Sequence, residues 1–462
     1  ILHVKQEMAL IAALSIFGAG VLMARIFRRD ASLLAVAVWL CMSCFLERSA
    51  ELRVDMLTGL VGMFAFLLVI RREPVAAGIV AGLSFMVSQK GAYFCAAGGM
   101  AFGSYFLAVD RSRRSIRDAA AFGFAVLGAL GAYVLVFGSM SSIDAVVQPT
   151  FGSATNIATD PTPYKHLREY WFQTLLRNPY FYAVAMLGIG AAFESSRRTR
   201  SFHHWAVFAF GGSVTGLALW HSQPWPYFFT MVAPPLAVCA AYLFDRIADA
   251  GRSALFWVVF VAMGMLFPLN RIPTALARNN DYQRYSVRLA KALLGKHETY
   301  LAGVDMVFTR TQSPAELAWL DVAREKAIKR RPPRVIVNLI DQHPPKLLIQ
   351  NYRLHNLQMP VRAYLRRNYR HFSAAIWLYS PTIEQPEFNL AYSGSYEVVA
   401  RTGFLLDGKP VNPGQLLALS AGQHTTNGAS FSLRFVPHAS VLARVDDRFA
   451  GEQNLFPAIY DW

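Results

Sequence analysis

The chain has 462 residues, 54% of them hydrophobic and only 16% charged, with a formal net charge of +16 and a mean hydropathy of +0.29. A soluble domain carries about 25% charged residues, so this composition excludes an ordinary soluble enzyme and predicts a membrane protein with a soluble part. The arginines lie in short clusters between apolar runs and over the C-terminal third, which points to anionic membrane lipids and lipid phosphate as partners, not to nucleic acid.

Apolar runs at approximately 8–24, 31–46, 56–70, 74–87, 92–109, 119–138, 180–193, 204–220, 227–244 and 254–270 predict about ten crossings. Arginine clusters fall in alternate links: Arg25, Arg28 and Arg29; Arg71 and Arg72; Arg111 to Arg117; Arg197 to Arg200; Arg246 and Arg252. The positive-inside rule makes these links cytoplasmic. It makes Glu47 to Asp55, Ser88 to Gly91, the long loop 139–178 and His221 to Tyr227 external, along with everything after Asn270. The chain starts with Ile1 on the external side, from which we expect a further helix upstream. Tyr164 to Pro179, mixing aromatic, leucine and basic residues, reads as a helix lying in the interface. Cys41, Cys44, Cys95 and Cys239 sit in apolar runs and behave as small hydrophobes.

From Asp281 the composition turns to that of a soluble α/β domain. A helix is predicted over Tyr282 to Gly295, with Gly295 as its C-cap, and a helical pattern runs from Ala315 to Lys329. Thr299 to Val304, Arg334 to Ile340, Lys346 to Asn351 and Ala374 to Tyr379 read as β-runs, a helix remaining open for the second. Beyond Pro386, short strands broken by glycine turns predict a small antiparallel sandwich at about 388–438, with Asp407-Gly408 as a hairpin turn. The expected domains are 1–270 (transmembrane), 271–385 (extracytoplasmic α/β) and 386–462 (a small β-rich module).

Charges beside long apolar runs are costly unless they meet a membrane surface or a watery cavity, so they mark candidate function. Two crossings separate the cluster Glu47 to Asp55 from Lys90, placing both at one face of the membrane and Arg71-Arg72 at the other. Acid and lysine at one lip of a helical bundle make a site for an anionic, lipid-linked substrate. The plainer alternatives are a solvated helix end whose charges pair among themselves, and a lysine that snorkels to the interface.

The segments ERSAELRVDMLTGLVG (Glu47 to Gly62), SQKG (Ser88 to Gly91), HSQPWPYFFTMVAPPLA (His221 to Ala237), PPKLLIQNYR (Pro344 to Arg353) and YLRRNYRHF (Tyr364 to Phe372), in this order, carry a family resemblance. The chain resembles bacterial GT-C membrane glycosyltransferases over roughly 8–380, in particular those similar to protein O-mannosyltransferases and aminoarabinose lipid A transferases. The resemblance implies a multi-pass α-helical membrane protein of GT-C type in the bacterial inner membrane. It also implies a C-terminal extracytoplasmic α/β domain and, after it, a small β-sandwich-like module. The implied reaction moves a sugar from a polyprenyl-phosphate donor to a glycan, lipid or protein acceptor on the outer face.

Asp55 matches the family's acidic residue before an apolar helix, and Lys90 its lysine facing the donor phosphate. The family's main catalytic carboxylate, in the first external loop, has no counterpart here and is expected upstream of Ile1, unless this copy does not perform the reaction. Glycosyl transfer needs a carboxylate to take a proton from the attacking hydroxyl and positive charge to stabilise the leaving phosphate. Asp55 or Glu51 suits the first role; Lys90, Arg53 and Arg48 suit the second. His221, Gln223, Trp225 and Tyr227 lie on the same external face as candidates for the sugar or acceptor pocket, an interfacial aromatic belt being the alternative for Trp225 and Tyr227. This reading fixes no cofactor and leaves a divalent metal beside Asp55 open, with His166 as its candidate ligand. The competing functions are a transporter or flippase of lipid-linked sugars and a non-catalytic, degenerate relative.

Overall fold

Long apolar segments become helices because a backbone screened from water must satisfy its own N–H and C=O groups. In the computed structural model, which describes residues 2–48, 54–152, 169–221, 224–249, 262, 264, 280–320, 322–427 and 430–455, the chain divides into two compact units, Ile1–Ala277 and Arg278–Trp462.

In the first unit α1 is Leu2–Met23, α2 Arg29–Leu40, α3 Ser43–Arg48, α4 Val54–Ile70, α5 Pro74–Val87, α6 Ala92–Ala108 and α7 Arg113–Met140. There follow α8 Ile143–Val147, α9 Glu169–Arg177, α10 Pro179–Thr199, α11 Phe202–Trp220 and α12 Phe228–Asp249. The apolar run expected at 31–46 is two helices, α2 and α3, instead of one. A remote side chain supports the break: Asn178 accepts from Ser43 N at 2.7 Å and donates to Ser43 Oγ at 3.0 Å. The last expected run, 254–270, lies almost wholly outside the described residues.

The centre of the unit is α12, in which every residue from Phe228 to Phe244 is buried against α2, α4, α10 and α11. Gly59 of α4 permits one of these close approaches. A Cβ there would stand 2.5 Å from the Met231 carbonyl oxygen. Among the described residues α7 and α12 are long and apolar enough to cross a bilayer, while α4, α5 and the stretch Leu10–Met23 are apolar but shorter.

The hairpin of α4 and α5 positions the site. Arg72, at φ 60°, turns the chain, and Pro74 starts α5, where a missing N–H costs nothing. The Arg72 guanidinium is clasped by Asp118 Oδ2 at 2.7 Å and Ser115 Oγ at 3.0 Å, over the Phe202 ring at 5.1 Å. With the far end pinned, α4 and α5 run back to back, so the start of one and the end of the other meet about 25 Å away, the length of a 17-residue helix.

The second unit begins with α13 (Asp281–Leu293). One sheet has the order β1-β2-β4-β3, formed by β1 Tyr300–Leu301, β2 Leu347–Ile349, β3 Tyr369–Ser373 and β4 Ile376–Tyr379; only the β1–β2 pair is parallel. Helices α14 (Val322–Lys329), α15 (Pro333–Gln342), α16 (Tyr352–His355) and α17 (Met359–Asn368) link these strands. Arg334 to Ile340, read first as a β-run with a helix open, is the helix α15, with Pro333 at its first position. A second sheet, β10-β7-β12-β5, is antiparallel, with β5 Thr382–Ile383, β7 Gly394–Val399, β10 Leu416–Leu419 and β12 Phe431–Val436. Strands β6 (Glu387–Leu390) and β11 (Gly422–Thr425) pair separately, as do β8 (Phe404–Leu406) and β9 (Lys409–Val411). The β8–β9 hairpin turns on Asp407 and Gly408, both at positive φ, the geometry a two-residue hairpin requires. Residues on either side of 385 share one buried cluster, Leu301, Leu348 and Tyr379 packing with Tyr396, Phe431 and Leu433.

Candidate functional site

Asp55 lies in the first turn of α4, where the helix dipole favours a carboxylate, and the residue is only 3% exposed. Lys90 stands on a single 3₁₀ turn, Gln89–Gly91, between α5 and α6. Its ammonium donates to Asp55 Oδ1, and its side chain is 25% exposed. The hairpin thus joins two residues 35 positions apart into a half-buried ion pair.

Backbone contacts hold the lysine turn. The Ser88 hydroxyl accepts from Lys90 N at 3.4 Å, and Gly91 N donates to Ser88 O at 2.7 Å. Ser84 Oγ donates to the Thr58 carbonyl at 2.9 Å, tying the end of α5 to the first turns of α4. Gly91 presses directly on the α5 backbone: a Cβ there would lie 2.2 Å from the Ser84 carbonyl carbon.

Aromatic rings wall the ammonium. Lys90 Nζ lies 5.0 Å from the Tyr227 ring centroid and 5.8 Å from that of Phe228, within range of cation–π attraction. Trp225, buried, continues this wall at 6.4 Å from Tyr227 in a near-parallel arrangement. His221 stacks on Phe228 at 4.3 Å, and its Nδ1 is 2.7 Å from the Tyr93 hydroxyl.

Of the residues singled out from the sequence, Asp55, Lys90, Tyr227, Trp225 and His221 therefore form one contiguous patch. Glu51, Arg53, His166 and Gln223 lie outside the described residues, as does the side chain of Arg48. Phe228 and Tyr93 were missed. Tyr93, three residues after Lys90 on the next helix, was the available signal; Phe228 looked like ordinary core. Among the described residues no group of three or more His, Cys, Asp or Glu stands close enough to hold a metal ion. Asp55 instead faces a lysine, so the described residues do not compose a divalent-cation site.

The model of glycosyltransferase family 87 matches residues 1–194, less than half of the chain. No curated protein matches in sequence. Among solved structures, the fold is similar to the archaeal oligosaccharyltransferase AglB of Archaeoglobus fulgidus, described as in complex with an inhibitory peptide and a dolichol-phosphate. The TM-score is 0.50 at 12% identity, over 89% of this chain and 63% of that one. The oligosaccharyltransferase of the same organism complexed with Zn and sulfate aligns at TM-score 0.43 and 13% identity, over 89% and 61%. This chain thus spans less than two thirds of the length of these structures. The resemblance to GT-C membrane glycosyltransferases read from the motifs is borne out by the family model and by this fold.

Proposed function

We propose that the protein is a multi-pass membrane glycosyltransferase that moves a sugar from a polyprenyl-phosphate-linked donor to an acceptor hydroxyl on the external face of a bacterial inner membrane. The observation that carries this reading is the Asp55–Lys90 pair, a proton acceptor and a phosphate-seeking cation in contact beside an aromatic wall. The family match over the first 194 residues supports the reaction class. The dolichol-phosphate bound by the structurally similar archaeal protein supports a lipid-linked donor.

An ammonium has three N–H donors. One rests on Asp55, which leaves others for a donor phosphate at the exposed side of Lys90. The acceptor oxygen attacks the anomeric carbon from the face opposite the phosphate, and its proton passes to Asp55. The bond from that carbon to the phosphate oxygen breaks, and polyprenyl phosphate leaves with the bonding pair, its charge met by Lys90. Configuration inverts in this single displacement. Tyr227 and His221 offer flat faces to the sugar, buried Trp225 backs the Tyr227 ring, and Tyr93 holds His221 in orientation.

Asp55→Asn is expected to lower donor turnover by about 100-fold or more, the scale of general base catalysis, and Lys90→Ala by a similar factor. Turnover of a polyprenyl-phosphate sugar by the purified protein measures both. Retention within about threefold for both would remove these roles.

A further inference from the structure

Among the described residues of the second unit, two clefts differ in charge. The larger, about 780 Å³, has polar groups that satisfy one another: Tyr364 donates to Asp341 at 2.7 Å, and Arg367 pairs with Glu384. The smaller, about 290 Å³, is walled by Arg362 and Arg366 of α17, His355 at the end of α16, Trp377 of β4, Gln350 and Asn454, and no carboxylate is among its lining residues.

The cations of the smaller cleft are held together without any visible compensation. Arg362 and Arg366 stand four residues apart on one face of α17, a spacing at which like charges repel. Neither forms a salt bridge among the described residues. Arg362 Nε is shielded from solvent and has no hydrogen-bond partner, and the same holds for Asn454 Oδ1, another atom of the lining residues. A buried polar atom left without a partner carries its full desolvation cost, so each such group calls for a ligand or an ordered water. Partial burial, and next the charges of Arg362 and Arg366, hold the His355 imidazolium below its ordinary 6.5.

We propose that this cleft binds a phosphate monoester, its oxygens held by the guanidinium forks of Arg362 and Arg366 and its organic part lying on Trp377. Two planar forks on one helix face suit several oxygens of one phosphate. The Asn454 amide, turned to point its NH2 inward, adds a neutral donor. The ring of Trp377, partly exposed, suits the apolar face of a sugar or glycerol. The phosphate has two sources of the same chemistry, a soluble sugar phosphate or a lipid headgroup.

Isothermal titration on the full chain in phosphatidylcholine nanodiscs, at constant ionic strength, tests the site. Inorganic phosphate and glucose 1-phosphate form two arms, and nanodiscs doped with phosphatidic acid form the third. The expected result is saturable one-site binding in at least one soluble arm, or its loss when phosphatidic acid is present, which identifies a headgroup as occupant. Arg362→Gln combined with Arg366→Gln is expected to weaken binding by about tenfold or more. Arg366→Gln alone, at an exposed position and so without consequence for folding, is expected to weaken it by about threefold or more. Absence of saturable binding in both soluble arms with no effect of phosphatidic acid, or equal binding by wild type and Arg366→Gln, overturns the proposal.

Discussion

On the proposed function, Asp55 and Lys90 stabilise the fold and take part in the reaction through the same contact, and substitution separates the two contributions. A pair this buried repays its desolvation only while both partners are present; removing one leaves an uncompensated charge, at about 3–5 kcal/mol. Lys90→Met alone is therefore expected to lower the unfolding midpoint markedly in detergent. Adding Asp55→Asn, which removes the stranded charge, restores most of that stability. Glycosyl transfer stays lost in the double variant, because an amide takes up no proton and a thioether meets no phosphate. Denaturant unfolding and donor turnover, measured on the same preparations, check both halves. A double variant that recovers turnover along with stability would reduce the pair to a structural one.

At the scale of elements, the site depends on how closely the lysine turn can approach the end of α5. Gly91→Ala places a methyl where the Ser84 backbone already stands. Either the turn or the helix end must shift, and overpacking of this kind costs about 1–3 kcal/mol. Turnover is expected to fall at least about tenfold in Gly91→Ala although Asp55 and Lys90 are both intact. Kinetics at saturating donor, alongside an unfolding curve, measure the two effects. The juxtaposition itself was legible in the sequence, because two apolar runs of similar length must return the chain to the end where it began. The close packing was not, since nothing in SQKG says which backbone Gly91 will meet. The second unit shows the same division. The Asp407-Gly408 hairpin followed from local turn chemistry, whereas Arg334 to Ile340 is ambiguous because its apolar residues satisfy a strand run and also place Ile336 and Ile340 on one buried helix face. Strand pairing across 46 residues, as between Leu301 and Leu348, depends on distant partners that no short window contains.

At the scale of the whole molecule, the reading of the first unit as lipid-embedded rests on where its apolar side chains point. The helix α12 is sealed within the unit, whereas α7, the more apolar of the two, turns Phe124 (74% exposed), Leu127, Leu135 and Met140 outward. Large apolar patches on a water-soluble surface invite association; facing lipid they are the ordinary state of a bundle exterior. Phe124→Lys discriminates between these environments, because the residue lies near the middle of a 28-residue helix and away from the Asp55–Lys90 pair. In hydrocarbon, a lysine near a helix centre costs about 2.5–3.5 kcal/mol, so the variant is expected to insert poorly and to yield less protein in the membrane fraction after an alkaline wash. A helix exposed to water would respond in the opposite sense, a surface lysine improving solubility and leaving the fold intact. Ser104 on α6, half-buried, accepts a hydrogen bond from the Trp205 indole N–H at 3.0 Å, and a lysine there breaks that bond in either solvent. The sign of the effect at Phe124, set against the uniform loss at Ser104, reads out the medium that surrounds this bundle.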